Sequence, residues 1–192
     1  MKEKTLIQKF LGTWNTKTIV GVAIGAALFG VLMNYGSIRV FTNTSLTTAM
    51  IVPVIVGALF GPLPAAAAAG IGNVIADLIG GWGFWFDWSI GNAVLGLFVG
   101  ALPLYGAYIE DGIFELKHMI IYAVVVIVGT ALAFGLVTPF FTYLWYGGEL
   151  TITLYQGVVG SVSNIIVLLV AGIPVLKVLA ARNAKASNLR RE

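Results

Sequence analysis

The chain has no cysteine and a single histidine, His118. These absences exclude a disulfide framework, a thiolate nucleophile, a thiolate metal site and a cluster of histidine ligands. The sequence also lacks the P-loop, G-x-S-x-G and H-E-x-x-H motifs, and no base stands next to a candidate nucleophile. We therefore expect a protein that is not an enzyme, that holds no metal or cofactor of its own and that does not bind nucleic acid.

Charge is scarce as well. Only 10% of the residues are charged and 59% are hydrophobic, whereas soluble domains carry about 25% charged residues. A soluble fold of 192 residues has no room to bury so much apolar surface, so lipid must be the solvent for most of the chain. We interpret residues 1–192 as one membrane domain, with a basic cytoplasmic leader at 1–17 and a basic cytoplasmic tail at 180–192.

Apolar stretches predict an all-α, six-helix membrane bundle. A spanning helix needs about 20 apolar residues, and the six candidates are 18–35, 46–60, 65–79, 89–108, 118–146 and 153–179. The second is short, and the GPLP sequence at 61–64 predicts a tight break after it. Pro139 predicts a kink in the fifth span.

The basic residues predict the orientation of this bundle. Arg39 alone falls in a loop on one side, and the other ten of the eleven Lys and Arg residues fall on the opposite side. Because cytoplasmic loops carry the excess of Lys and Arg, we predict that both termini are cytoplasmic. The ten are Lys2, Lys4, Lys9, Lys17, Lys117, Lys177, Arg182, Lys185, Arg190 and Arg191.

Polar side chains gather in the half of the bundle that this topology places outside. Asn73 and Asp77 are four residues apart and so share one helix face. Polar groups in hydrocarbon are costly and indicate function by default, and the inner half has almost none. The sequence therefore predicts a cup that is open to the outside rather than a pore. The candidate substrate-binding residues are Asn34, Arg39, Asn73, Asp77, Trp82, Trp85, Asn92 and Asn164.

These assignments leave alternatives open. Asp77 is a ligand contact, a counter-ion to Arg39 or a helix-end group solvated at the membrane surface. The aromatic segment from Trp82 to Trp88 either caps a flat ligand or forms an interfacial belt, with Trp88 the best candidate for the belt. The polar loop containing Arg39 and Asn43 covers the mouth of the cup or is simply solvated.

A small-x-x-x-small pattern on the first span lets another helix approach closely. It is formed by Ala23 and Ala27, and we expect Gly21, Gly25 and Ala26 to widen the same face. The partner helix belongs either to this chain or to a separate membrane subunit.

The stretches VAIGAALFGVLMNYGSI, FTNTSLTTAMIVPVIVGALFGP and GIGNVIADLIGGWGFWFDWSIGNAVLGLFVGAL resemble the substrate-binding (S) components of energy-coupling factor (ECF) transporters. The resemblance implies a six-helix protein of a prokaryotic plasma membrane that binds a vitamin in its outer half. It also implies assembly with a transmembrane coupling subunit and two cytoplasmic ATPase subunits. Ala23 and Ala27 match the family's alanine motif for docking to the coupling subunit.

Within that family, the chain is most similar to a branch of uncharacterised membrane proteins whose members resemble those assigned to cobalamin uptake, so we rank cobalamin first as the ligand. Haem, riboflavin and a thiamine or pyridoxine precursor stay open. An alternative of another class is a membrane scaffold or regulatory subunit without a transport role, in which the polar residues only join helices.

Overall fold

The computed structural model describes residues 5–41 and 44–189. In these ranges the fold is mostly helical, with one β-hairpin. Its α-helices are α1 (Leu6–Leu11), α2 (Thr16–Tyr35), α3 (Ile51–Phe60), α4 (Pro62–Gly80), α5 (Phe86–Val99), α6 (Leu116–Leu132), α7 (Thr138–Tyr146), α8 (Leu150–Val167) and α9 (Ile173–Leu189). The hairpin strands are β1 (Ser37–Phe41) and β2 (Thr44–Thr47).

Five helical stretches of the described chain are long and apolar enough to cross a membrane. The apolar helix Thr48–Phe60 is shorter than these five, in keeping with the short second span predicted from the sequence. A count of six spans therefore stays a prediction. The five long stretches are Thr16–Tyr35, Pro62–Gly80, Phe86–Tyr105, Leu116–Tyr146 and Leu150–Ala186.

The all-α prediction is wrong in the loop at 36–45, where the chain forms an antiparallel hairpin. Ser37 pairs with Thr47 and Arg39 with Ser45. Alternating β-branched, aromatic and hydroxyl residues favour this extended pairing. Asn43, which belongs to the same predicted polar loop, lies outside the described residues.

The predicted break at 61–64 is confined to Gly61. This residue has φ +98°, and α4 begins at the next residue, Pro62. Pro62 and Pro64 fit into the first turn of α4 because the backbone N–H groups that proline lacks have no partner there.

A π-helical turn interrupts the chain before α7 and another before α9. The turns span Ala133–Val137 and Leu168–Gly172, and each is followed two residues later by a proline, Pro139 or Pro174. Proline offers no N–H to the carbonyl four residues earlier, and a wider turn is one way for a helix to absorb that loss. The kink predicted at Pro139 thus takes the form of a π-turn.

Small residues let α4 pack closely against both α2 and α5. A Cβ atom on Gly72 would lie 2.6 Å from Phe29 Cβ and 2.9 Å from the main-chain oxygen of Ala26 on α2. On the other side, a Cβ atom on Gly96 of α5 would lie 2.8 Å from the main-chain oxygen of Ala65. The hydrophobic effect does not drive helices together inside lipid, so close van der Waals packing between the helices stabilises the bundle instead.

The described ends of the chain meet at one end of the bundle, opposite the hairpin. Lys9 of α1 lies 5.4 Å above the ring of Tyr108, and Asn183 of α9 donates a 3.0 Å hydrogen bond to the carbonyl of nearby Ile109. The cytoplasmic location of this end stays a prediction, and four of its basic residues, Lys2, Lys4, Arg190 and Arg191, lie outside the described residues.

We predict that Gly72→Ala destabilises the bundle by about 1–3 kcal/mol, because the new methyl group has no space between α4 and α2. The melting temperature in detergent, followed by tryptophan fluorescence, should fall. Gly135→Ala is the control, since a Cβ atom there meets nothing within 4 Å. Equal melting temperatures for the two variants would contradict this account of the packing.

Candidate binding cavity

A partly open cavity of about 450 Å³ lies at the hairpin end of the bundle. Its wall combines residues of the hairpin, α4, the loop after α4, α5, the first π-turn, α7 and α8. The lining residues are Met33, Arg39, Thr44, Ser45, Thr47, Met50, Asn73, Asp77, Trp82, Trp85, Trp88, Asn92, Phe134, Thr142, Tyr146, Gly148, Glu149, Ile152, Thr153, Gln156, Gly160 and Asn164.

Seven of the eight residues predicted from the sequence line this cavity: Arg39, Asn73, Asp77, Trp82, Trp85, Asn92 and Asn164. Asn34 is not among the lining residues. Its side-chain amide donates 3.0 Å hydrogen bonds to the carbonyls of Gly30 and Ala76, so it joins α2 to α4. The position of Asn34 near the outer end of its helix is visible in the sequence, but the direction in which its side chain turns is not.

Asp77 anchors the aromatic loop that follows α4. Its carboxylate accepts a 3.0 Å hydrogen bond from the backbone N–H of Trp85, and its main-chain oxygen accepts a 3.2 Å bond from the N–H of Trp82. The residue is only 6% exposed. In the described part of the chain the one ion pair joins Lys117 and Glu115, so the interpretation of Asp77 as a counter-ion to Arg39 is not supported.

Tyr146, at the end of α7, holds the same loop from the opposite side. Its hydroxyl donates to the carbonyl of Phe84 (3.0 Å) and accepts from the N–H of Phe86 (3.1 Å). Its ring lies 5.0 Å from that of Trp85, centroid to centroid. The loop is therefore fixed to α4 by Asp77 and to α7 by Tyr146.

Trp88, the best candidate for the belt alternative, does not have the exposure typical of an interfacial belt residue. Trp88 is partly buried, lines the cavity and packs 5.7 Å from the ring of Phe134, centroid to centroid. The π-turn before Pro139 carries Phe134 to this contact. Trp82 and Trp85 also line the cavity but are more exposed. By contrast, Trp145 is absent from the lining and lies half-exposed against Phe141.

Two hydrogen-bonded asparagines belong to the buried polar part of the wall. Asn73 is 3% exposed and Asn92 is 2% exposed. The Nδ2 atom of Asn92 donates a 2.9 Å hydrogen bond to Oδ1 of Asn73. The pairing satisfies Oδ1 of Asn73 and Nδ2 of Asn92, as buried polar groups require.

Apart from Asn164 on α8, sequence reasoning missed the wall formed by α7 and α8. Thr142 and Tyr146 are four residues apart on α7, and Glu149 and Thr153 are spaced in the same way at the start of α8. This i, i+4 spacing was the available signal. On α7 it was obscured because the helix is otherwise mostly apolar and aromatic. Behind this wall lies Asp87, which is fully buried and accepts a short hydrogen bond from the hydroxyl of Thr142.

Ala23 and Ala27 lie on the exposed face of α2, beside Ile24 and Leu28. Contrary to the expectation from the sequence, Gly25 and Ala26 do not widen this face, because they are buried on the opposite side of the helix, against α3 and α4. Within the part of the chain that the structure describes, the two alanines are therefore left exposed rather than buried between helices.

The fold and the cavity define a class: a polytopic membrane protein with a cavity of small-molecule size near one end of a helix bundle. Comparison with known proteins makes this more specific. The family model of the ECF-type riboflavin transporter S component matches residues 13–181. The chain belongs to this family.

Relatives and a solved structure agree with this assignment. The chain is 35% identical over 178 residues to a UPF0397 protein of Vibrio vulnificus strain YJ016, covering 91% of this chain and 97% of the relative. It is 31% identical over 180 residues to a UPF0397 protein of Clostridium perfringens strain SM101, covering 92% and 95%. The crystal structure of FolT bound with folic acid has the same fold, with a TM-score of 0.61 at 17% identity, covering 88% of this chain and 96% of FolT.

Family membership establishes the general role. The protein is an S component of an ECF-type vitamin transporter, a multi-pass protein of a prokaryotic plasma membrane and not an enzyme. S components of this kind work with a membrane T component and ATPases. The alternative of a scaffold without a transport role is therefore wrong.

We predict that Tyr146→Phe loosens the aromatic loop, because the two hydrogen bonds of the hydroxyl to Phe84 and Phe86 are lost together. Hydrogen exchange at residues 82–86 should become faster, by roughly tenfold for a net loss of about 1.4 kcal/mol. Tyr143→Phe is the matched control, since Tyr143 lies on the same helix, is exposed and does not line the cavity. Unchanged exchange in Tyr146→Phe would contradict a role for Tyr146 as an anchor.

Proposed function

We propose that this protein captures a flat, heteroaromatic vitamin of about the size of riboflavin from outside the cell, for delivery to the cytoplasm by its transporter. The observation that carries this proposal is the composition of the cavity wall. Five aromatic side chains, Trp82, Trp85, Trp88, Phe134 and Tyr146, surround the buried amides of Asn73 and Asn92. Aromatic walls stack on planar rings, and a few fixed polar groups orient the bound ligand.

The size of the cavity favours a ligand smaller than cobalamin. Its volume of about 450 Å³ falls in the lower half of the range of roughly 300–1,000 Å³ that is typical of sites for drug-sized ligands. A corrin ring with its nucleotide arm is far larger than such ligands. Neither the matching family model nor the cavity supports cobalamin specificity, so we replace cobalamin with riboflavin as the first candidate.

The orientation rests on the distribution of charge. Lys9, Lys17, Lys117, Arg182 and Lys185 belong to segments at the end of the bundle where the chain termini meet, and Arg39 lies on the hairpin at the other end. The positive-inside rule then assigns the cavity to the extracellular side. We propose that a transmembrane coupling subunit and two cytoplasmic ATPase subunits supply the energy for release.

The exposed alanine face of α2 is the proposed docking surface for the coupling subunit. Ala23 and Ala27 add almost no side-chain bulk, so a partner helix can approach the backbone of α2 there. The neighbouring Ile24 and Leu28 are half-exposed and offer apolar contact area beside the alanines.

We predict that Trp88→Ala weakens riboflavin binding at least about tenfold, the equivalent of about 1.4 kcal/mol, because a stacking surface inside the cavity is lost. Quenching of flavin fluorescence by the purified protein in nanodiscs gives Kd. Trp145→Ala is the control, since Trp145 does not line the cavity. Cobalamin, haem, folate and thiamine form the comparison panel. Binding of cobalamin but not of riboflavin would overturn the ligand proposal.

We predict that Ala23→Trp and Ala27→Trp abolish uptake in cells while ligand binding by the purified protein is retained, because the indole obstructs the helix–helix contact. Uptake of radiolabelled vitamin and co-purification of the coupling subunit measure the two effects. Val124→Trp, at an exposed apolar position on α6, controls for bulk at the lipid surface. Normal assembly of both alanine variants with the coupling subunit would be inconsistent with docking on this face.

A further inference from the structure

A chain of hydrogen bonds beside the cavity has a fixed direction, and it begins at Ser89. The hydroxyl of Ser89 has one hydrogen, which it donates to the main-chain oxygen of Trp85 at 3.3 Å. Toward Asn73 this hydroxyl can therefore only accept, and it does so from Nδ2 of Asn73 at 3.1 Å. The orientation of the Asn73 amide group is set in this way.

The orientation of the Asn73 amide group in turn determines how the amide group of Asn92 is oriented. Because Nδ2 of Asn73 faces Ser89, its Oδ1 atom faces Asn92 and accepts from Nδ2 of that residue at 2.9 Å. The Nδ2 atom of Asn92 also donates to the main-chain oxygen of Trp88 at 3.0 Å. A carbonyl can only accept. The backbone oxygens of Trp85 and Trp88 thus prevent the chain of bonds from reversing at either end.

One acceptor is left over. Oδ1 of Asn92 is buried and has no hydrogen-bond partner among the described residues. Buried polar side-chain atoms have a partner in the large majority of cases, so such an exception needs an explanation. Asn92 lines the cavity. Its Oδ1 atom has almost no accessible surface, so a ligand held in the cavity supplies the missing hydrogen after a small shift of the Asn92 side chain.

Two threonines of the opposite wall of the cavity also offer only hydrogen-bond acceptors to a bound molecule. Thr142 directs its hydroxyl hydrogen toward the carboxylate of Asp87 or the main-chain oxygen of Thr138, and Thr153 donates to the main-chain oxygen of Glu149 at 2.9 Å. The hydroxyl oxygens of both residues can therefore only accept from a molecule in the cavity. Both threonines line the cavity.

We propose that the cavity selects ligands that present an N–H donor on the edge of a planar ring, with Oδ1 of Asn92 as the acceptor that determines specificity. This inference rests on the proposed function, since it assumes that a flat vitamin occupies the cavity. It extends that proposal by giving the chemical class of the recognised edge: a ring imide, lactam or exocyclic amine. Ser89 and Asn73 are positioning residues that hold the Asn92 amide in its orientation.

The test compares riboflavin, which has a ring imide N–H, with its 3-methyl derivative, which has N–CH₃ at that position. Wild-type protein should bind riboflavin about a hundredfold more tightly or better, since a site built to accept a hydrogen bond rejects an analogue without the donor. Asn92→Ala should remove this preference by weakening riboflavin binding alone. Asn183→Ala is the control, because Asn183 also donates to a main-chain carbonyl but at the other end of the bundle.

Ser89→Ala is a second variant, chosen because it should disturb folding less than Asn92→Ala does. It leaves Asn92 intact and frees the Asn73 amide to turn, while the main-chain oxygen of Trp88 still accepts from Nδ2 of Asn92. The preference for riboflavin over the 3-methyl derivative should therefore shrink in part, while the affinity for the derivative is kept. A preference that persists undiminished in both Asn92→Ala and Ser89→Ala would overturn the inference. Equal affinity of the wild-type protein for the two flavins would do the same.

Failure of both flavins to bind would contradict riboflavin as the ligand, and the inference is then tested in the ligand-free protein. Isotope-edited infrared spectra of protein containing ¹³C-labelled asparagine, minus those of labelled Asn92→Ala, isolate the side-chain carbonyl of Asn92. A frequency typical of a carbonyl without a hydrogen bond supports the vacant acceptor. A frequency typical of a hydrogen-bonded carbonyl overturns it.

Discussion

The close approach of α4 to both α2 and α5 is the constraint on which the rest of the structure depends. In lipid the packing of helices has little hydrophobic drive, so backbones must come near enough for many weak contacts to add up. Gly72 on the α2 side and Gly96 on the α5 side leave the space for this. Because α4 carries Asn73 and Asp77, and α5 carries Trp88 and Asn92, the same contacts also set the shape of the cavity.

Asp77 combines two roles at one position. It lines the cavity, and its carboxylate also holds the backbone of Trp85. Asp77 therefore lies at the junction of the cavity wall and the aromatic loop, where a bound molecule would contact both of these parts. The buried pair of Asn73 and Asn92 also has two roles, since its hydrogen bonds join α4 to α5 and both residues line the cavity.

The sequence predicted the candidate site better than it predicted the details of the fold. Polar residues on apolar helices are conspicuous, which is why Asn73, Asp77, Asn92 and Asn164 stand out from the amino-acid sequence alone. The direction of a single side chain is not encoded in a local pattern, and for this reason Asn34 was misplaced. The hairpin was missed because its strands are too short to show a clear period of two. Thr142 and Tyr146 on the α7 wall were missed because they stand among aromatic residues, whereas Asn164 on α8 was predicted.

The anchoring of the aromatic loop to two separate helices has a kinetic consequence. Asp77 belongs to α4 and Tyr146 to α7, so one set of hydrogen bonds breaks whenever these helices move apart. The residence time of a bound molecule then depends on the separation of α4 and α7, while its association rate depends on the open mouth of the cavity. A partner that spreads these two helices would accelerate dissociation without touching any group that contacts the ligand.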